Sequence, residues 1–174
     1  MQLSPGIVSF LGRLTSEKRI DTQSTLNVEN PGAYGDFLEK RYIEDVHGYC
    51  KADIPEVLEY KTHNSDGTSN AISLAKFSQP INRFKESAMT QVENKFKYGL
   101  VLDEYVLDGP IIVRKKVTAF TNLASDWKDF LIYRPKQKPD GEFSYSILKK
   151  KLIFMYDYSE VCLDIAWQTT RTRV

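Results

Sequence analysis

Apolar residues repeat at helical spacing in two stretches of the first half of the chain. Around a predicted helix start near Asp36, apolar side chains at intervals of three and four form one stripe: Tyr34, Phe37, Leu38, Tyr42, Val46 and Tyr49. A second stripe begins after Pro80 and ends before Gly99, with Ile81, Phe84, Ala88, Val92 and Phe96. The sequence therefore predicts two α-helices in its N-terminal half.

Strand patterns surround these two helices. The stretch from Ile7 to Leu14 is interpreted as a short strand or extended arm, within an N-terminal segment covering residues 1–20. Residues 56–63 and 71–77 flank Asn64-Ser65-Asp66-Gly67, a sequence typical of a tight turn. These two stretches are predicted to form a hairpin.

The C-terminal half is predicted to be β-structure. Strands are expected at residues 111–120, 129–134 and 143–156, the last with a β-bulge across Lys149-Lys150-Lys151. Alternation is cleanest from Val161 to Trp167, and a polar tail continues to Val174 within a C-terminal segment of residues 160–174. We expect one α+β domain over residues 1–174 with a predominantly antiparallel sheet. This sheet could close into a barrel.

Composition and charge narrow the class of protein. The 174 residues are 41% hydrophobic and 27% charged, as in globular proteins, and the net charge of +1 provides no overall field to attract nucleic acid. No signal-peptide pattern and no apolar run of about 20 residues is present, so we expect a cytoplasmic protein or a virion component without membrane contact.

The cysteines and histidines do not suggest a metal site. Cys50 and Cys162 are far apart and match no metal-binding spacing, and His47 and His63 complete no cluster. We expect two buried thiols, with a single disulfide as the alternative, and predict neither a metal nor a cofactor.

One candidate for catalysis is the triplet Glu59-Tyr60-Lys61 on a predicted strand. A carboxylate and an ammonium two residues apart project from the same strand face. This element resembles metal-dependent nucleases of the PD-(D/E)xK kind, which implies a metal-binding Glu59, a water-orienting Lys61, and a second ligand from Asp45 or Asp53. The alternative is a solvated strand face that carries a charge pair.

Basic residues at alternating strand positions form a second candidate. Arg114, Lys116, Lys149 and Lys151 could converge on a polyanion. The region from Lys128-Asp129-Phe130 to Leu163-Asp164-Ile165 is similar to the end of metal-dependent RNA 5′-triphosphatases, which implies a polyphosphate-binding tunnel. The alternative is a solvated sheet face or a charged edge strand.

A non-enzymatic assembly protein is the function that we expect first. A terminal strand invites pairing with another chain, and the expected contacts are Leu3, Ile7, Phe10, Val161, Leu163, Ile165, Trp167 and Val174. Leu3-Ser4-Pro5-Gly6-Ile7 is similar to the N-termini of contractile phage tail proteins, which implies a tail or neck component. The expected partners are proteins, as a homo-oligomer or a larger assembly, and no membrane. The alternative function is a metal-dependent enzyme on nucleic acid or polyphosphate, so nucleic acid is a possible partner that the net charge does not indicate.

Overall fold

The computed structural model describes residues 3, 5–23, 32–44, 59–67, 70–77, 86–163 and 166–171. The helices are α1 (Pro5–Ser16), α2 (Gly32–Glu39, continued by a π-helical turn over Lys40–Glu44), α3 (Glu86–Phe96) and α4 (Leu152–Met155). The strands are β1 (Arg19–Asp21), β2 (Glu59–Asn64), β3 (Ala71–Phe77), β4 (Leu100–Asp108), β5 (Ile111–Leu123), β6 (Leu131–Arg134), β7 (Phe143–Leu148), β8 (Tyr156–Leu163) and β9 (Ala166–Arg171). Short 3-10 turns cover Trp127–Phe130 and Lys149–Lys151.

The strands form two sheets. The larger sheet has the order β2-β4-β5-β8-β9, and β1 pairs with the same edge of β5 that β8 uses further along. The smaller sheet has the order β3-β7-β6. The β2–β4 pair is parallel and the other pairs are antiparallel. The predicted α+β fold with a mostly antiparallel sheet is confirmed, but the described strands do not close into a barrel.

The larger sheet lies between two apolar layers. One face packs against α1 and α2, and its core includes Phe10, Leu14, Leu38, Tyr60, Val101 and Val117. The other face packs against α3 and the smaller sheet, and its core includes Leu74, Val92, Phe96, Leu102, Phe120 and Ile147. The two-sided packing explains why β4 is buried at every position from Leu100 to Tyr105, four of which are apolar.

The interpretation of residues 7–14 as a strand or arm was wrong, because this segment is part of α1. Its buried residues Ile7, Phe10, Leu11 and Leu14 follow the spacing of three, four and seven that places side chains on one helix face. Pro5 occupies the first helical position, where a missing N–H costs no hydrogen bond.

The predicted hairpin over residues 56–77 was also wrong, although both strands exist. β2 pairs in parallel with β4, whereas β3 joins the smaller sheet beside β7. The turn residues were correctly recognised, since Gly67 N–H donates to the Asn64 carbonyl at 3.1 Å. The turn therefore carries the chain from one sheet to the other and does not fold it back.

The two predicted helices are present, with different bounds. α2 begins at Gly32. The stripe residues Val46, Tyr49, Ile81 and Phe84 lie outside the described residues, as does Pro80, where the second helix was predicted to begin. In α3 the residues Ala88, Val92 and Phe96 are buried as expected, and Gly99 donates to the Phe96 carbonyl at 3.1 Å with a φ of 128°. Gly99 therefore ends this helix as predicted, because that backbone region favours glycine.

Two predicted C-terminal strands each divide into shorter elements. The proposed strand over residues 143–156 is β7, a 3-10 turn over the three lysines, α4 and the start of β8. The proposed strand from Val161 to Trp167 is a hairpin, in which Val161 of β8 pairs with Gln168 of β9. No helix in the described ranges is long and apolar enough to cross a membrane.

Candidate functional site

A β-bulge in β5 decides where its basic residues lie. Glu104 of β4 pairs with Lys116 and Tyr105 pairs with Arg114, so Lys115 has no partner across the ladder. The extra residue changes which side chains share a face. As a result, Arg114 points toward α1, whereas Lys116 lines a cleft on the opposite face of the sheet.

Arg114 is the centre of a buried polar cluster beneath α1. Its Nε and Nη2 donate to the two carboxylate oxygens of Asp103, each at 2.9 Å, and the Asp103 side chain is fully buried. Its Nη1 donates to the carbonyl oxygens of Leu14 and Glu17 at the end of α1. The cation therefore donates to carbonyls at the C-terminal end of α1, in the position where positive charge stabilises a helix.

Two tyrosines complete this cluster. Tyr60 Oη donates to Asp103 Oδ2 at 2.7 Å, and the Arg114 guanidinium lies 5.1 Å from the ring centroid of Tyr42. Burial, followed by the charge of Asp103, raises the pKa of Tyr60 well above its usual value. Burial is the largest single influence on Arg114 and lowers its pKa, but the hydrogen bond to Asp103, the charge of Asp103 and the contact with Tyr42 together raise that pKa above its usual value. The cluster is therefore a charged, buried network in which the groups form hydrogen bonds with one another.

The lysine cleft is the basic site that the structure does assemble. It is a cavity of about 320 Å³ lined by Leu102, Glu104, Lys116, Thr118, Phe120, Lys149, Lys150, Ile153, Ser159 and Val161. Its floor is the face of β4, β5 and β8, and its wall is the connection from β7 to β8. Lys149 Nζ lies 2.7 Å from Glu104 Oε1 and joins the wall to the floor.

Of the four basic residues expected to converge, Lys116 and Lys149 line the lysine cleft. Arg114 lies on the other face of the sheet, and Lys151 lies with its Nζ 5.4 Å from the ring centroid of Phe154. Lys150, which sequence alternation placed on the opposite side of a strand, lines the cleft because residues 149–151 form a 3-10 turn.

A second cleft contains the residues of the nuclease hypothesis. It measures about 550 Å³ and is lined by Gly32, Gly35, Asp36, Glu39, Glu59, Tyr60, Lys61, Thr62, Lys76 and Lys95. Glu59 and Lys61 thus lie in one cleft, next to α2, where a Cβ on Gly35 would come 2.9 Å from Thr62 Oγ1. Asp45 and Asp53 lie outside the described residues. Within those residues, no three His, Cys, Asp or Glu side chains group closely enough to hold a metal ion.

The residues expected at an interface fall into three groups. Ile7 and Phe10 are buried in the core beneath α1, and Leu3 packs against the same core. Val161 is half-buried and lines the lysine cleft, while Leu163 and Trp167 belong to the backbone ladder between β8 and β9. The remaining two, Ile165 and Val174, lie outside the described residues.

Sequence analysis missed the Asp103–Arg114 pair, although one signal for it was available. Asp103 interrupts the otherwise apolar run Leu100–Val106 together with Glu104. A carboxylate inside such a run requires a cationic or hydrogen-bonding partner when the strand is buried on both faces. Only the bulge at Lys115, which the sequence pattern does not reveal, identifies Arg114 as that partner.

Cys162 has the buried thiol that the sequence predicted. It is free and 1% exposed, and burial raises its pKa. Cys50 lies outside the described residues. No protein-family model matches this chain, and comparison with curated proteins gives no match.

Proposed function

We propose that this protein is a non-enzymatic assembly component that associates through the outer edge of β9. The observation that carries this proposal is the position of β9, which among the described strands ends the larger sheet and pairs with β8 on one side. A strand in that position presents a row of N–H and C=O groups along its other side. Addition of a strand from another chain would satisfy those groups.

The sequence of β9 suits strand addition. The segment Ala166–Arg171 reads AWQTTR, with two β-branched residues and an aromatic residue. It contains no proline, glycine or lysine, the residues that commonly protect an edge strand from pairing. One arginine at its end is its only charged residue.

The partner that we propose is a second copy of this chain. Two β9 strands related by a two-fold axis can pair antiparallel, because the same edge then serves both copies. The net charge of +1 produces little repulsion between copies. Such a pair would extend the larger sheet continuously across two molecules.

The register indicates which amides would make the new ladder. Leu163 pairs with Ala166 on either side of a two-residue connection, so this pair is the hydrogen-bonded kind. Since the orientation of successive amides alternates, the N–H groups of Trp167, Thr169 and Arg171 point away from β8. Proline at position 169 therefore removes an outward N–H and leaves the β8 ladder complete.

A comparison of Thr169→Pro with Thr169→Ala tests the proposal, because alanine keeps the amide and proline removes it. Light scattering over a range of concentrations should show dimers or larger species for the wild type and Thr169→Ala. Thr169→Pro should be monomeric, with a melting temperature close to that of the alanine variant. Hydrogen exchange of the Trp167 and Thr169 amides should slow as the wild-type concentration rises.

A wild type that stays monomeric at every concentration would refute this function, as would a Thr169→Pro variant that assembles normally. The hydrogen-exchange measurement decides the matter if the proline variant fails to fold. A location in a phage tail or neck stays a prediction that rests on the resemblance of Leu3–Ile7.

A further inference from the structure

We infer that the lysine cleft binds a chain of phosphate groups. Three lysines and one carboxylate line it, so the cleft carries a local excess of positive charge although the whole chain is nearly neutral. Lysine binds phosphate as a point charge that tolerates many orientations of the anion. A cation would be repelled by this excess of positive charge.

Glu104 does not cancel the charge that a ligand would meet. Its side chain is 10% exposed and already accepts a hydrogen bond from Lys149 Nζ at 2.7 Å. Lys116 lies opposite Glu104 on the neighbouring strand, and Lys150 follows Lys149. Within the described part of the chain, neither Lys116 nor Lys150 has an ion-pair partner, and both are exposed. Glu104 therefore holds one lysine in place and leaves two ammonium groups for an anion.

The floor of the cleft strengthens the attraction. Leu102 and Phe120 belong to the apolar core beneath it, and the hydroxyl-bearing side chains of Thr118 and Ser159 are 5% and 3% exposed. Charges beside a low-dielectric surface interact more strongly than charges surrounded by water. An anion at this site would thus bind more tightly than one at lysines on an open surface.

A neighbouring cavity indicates a ligand longer than one phosphate. A second space of about 400 Å³ is lined by Asn70, Leu148, Lys149 and Lys150. The two cavities share Lys149 and Lys150. The Lys149 N–H donates to the Asn70 carbonyl at 2.8 Å, which connects the 3-10 turn over Lys149–Lys151 to the start of β3. A phosphate chain could follow the lysines from Lys116 across Lys149 and Lys150 toward Asn70.

Titration with sodium tripolyphosphate tests this inference, using calorimetry at fixed ionic strength. Lys116→Glu and Lys150→Glu should each weaken binding by at least about fivefold, because each replaces an attractive charge with a repulsive one. Lys115→Glu is the matched control. It makes the same change in net charge at the residue next to Lys116, whose side chain lines the cleft while that of Lys115 does not. That variant should bind within about twofold of the wild type, since salt screens charges outside direct contact.

A single-stranded oligonucleotide in a parallel titration identifies the source of the phosphate chain. Binding of both ligands with the same dependence on Lys116 and Lys150 would assign the site to a nucleic-acid backbone, with affinity falling steeply as salt rises. Binding of tripolyphosphate alone would assign it to a small polyphosphate. The inference is overturned if neither ligand binds, or if Lys115→Glu weakens binding as much as the cleft variants do.

Discussion

Two aspartates of β4 form ion pairs with arginines, and the two pairs differ in how much they contribute to stability because one is exposed and the other is buried. Asp108 and Arg19 lie 3.4 Å apart with side chains 72% and 57% exposed, whereas Asp103 and Arg114 meet where both side chains are almost fully buried. Water competes for an exposed pair, so such a pair contributes little. A buried pair is different, because removal of one partner leaves the other charge without water or a counter-charge.

We therefore predict a large difference between Arg114→Met and Arg19→Met. Loss of Arg114 should lower the free energy of unfolding by about 3–5 kcal/mol, since Asp103 loses its buried counter-charge and the carbonyls of Leu14 and Glu17 lose the guanidinium as a donor. Loss of Arg19 should change it by less than about 0.5 kcal/mol. Urea unfolding of both variants measures the difference, and similar losses would show that the buried cluster is not needed for stability.

At the scale of an element, the bulge at Lys115 allows β5 to serve two faces. On one side of it, Arg114 and Ile112 face α1; on the other, Lys116 and Phe120 face the lysine cleft and the second core. An unbroken strand would place Arg114 and Lys116 on the same face, because they are two residues apart. The buried cluster and the lysine cleft therefore both depend on the bulge that takes Lys115 out of the ladder.

Deletion of Lys115 should accordingly be tolerated far better than deletion of a residue paired in the ladder, such as Thr118. Without Lys115, Arg114 and Lys116 become neighbours and keep their partners Tyr105 and Glu104 on opposite faces of the sheet. Without Thr118, the paired residues on one side of the gap must change faces, which should lower the free energy of unfolding by more than about 3 kcal/mol. Lys115→Ala should stay within about 0.5 kcal/mol of the wild type, because the side chain is exposed. Urea unfolding of the three variants measures these differences, and equal losses for the two deletions would argue against the bulge.

The sequence predicted elements better than it predicted their connections. The stripe of α3 and the alternation of β5 are local, so residues 86–96 and 111–123 were placed correctly apart from their ends. The hairpin of β8 and β9 was missed because Val161, Leu163 and Trp167 alternate across the turn as they would along one strand. Pairing partners such as β2 and β4 depend on distant packing, which no local pattern encodes.

The candidate sites show the same limit. Lys116 and Lys149 were named from the sequence and do line one cleft, but Lys150 and Glu104 were not expected there. Their arrangement follows from a bulge and a 3-10 turn, and both change the face that a side chain occupies. The residue types indicated that the cleft is basic, whereas the backbone irregularities determined which side chains line it.

At the scale of the whole molecule, tyrosines link several layers and make stability sensitive to alkali. Burial raises the pKa of Tyr60 and of Tyr156, and it raises the pKa of Tyr105 to about 12. Tyr156 Oη donates to the Phe96 carbonyl at 2.8 Å and so joins β8 to α3. The unfolded chain loses these protons near pH 10, while the folded chain keeps them.

The pH dependence of unfolding should follow from this difference. Each raised pKa contributes stability that is fully present below about pH 10 and is lost as the pH rises through the folded-state pKa. The free energy of unfolding should therefore fall between pH 10 and pH 12, and more slowly in Tyr105→Phe than in Tyr98→Phe, whose replaced side chain is exposed. Urea unfolding across this range measures the slopes, and equal slopes would contradict the assignment.

The pairing of β1 with β5 has a consequence for how the chain folds during its synthesis on the ribosome. Ile20 meets Ile112, and the end of α1 is held by Arg114, so the first helix lacks its β5 contacts until about a hundred further residues have been synthesised. Contacts between such distant segments form late and slow the approach to the native state. The apolar side chains of α1 therefore wait for part of their core while those residues are made, and we expect a chaperone that shields such surfaces to bind the nascent chain.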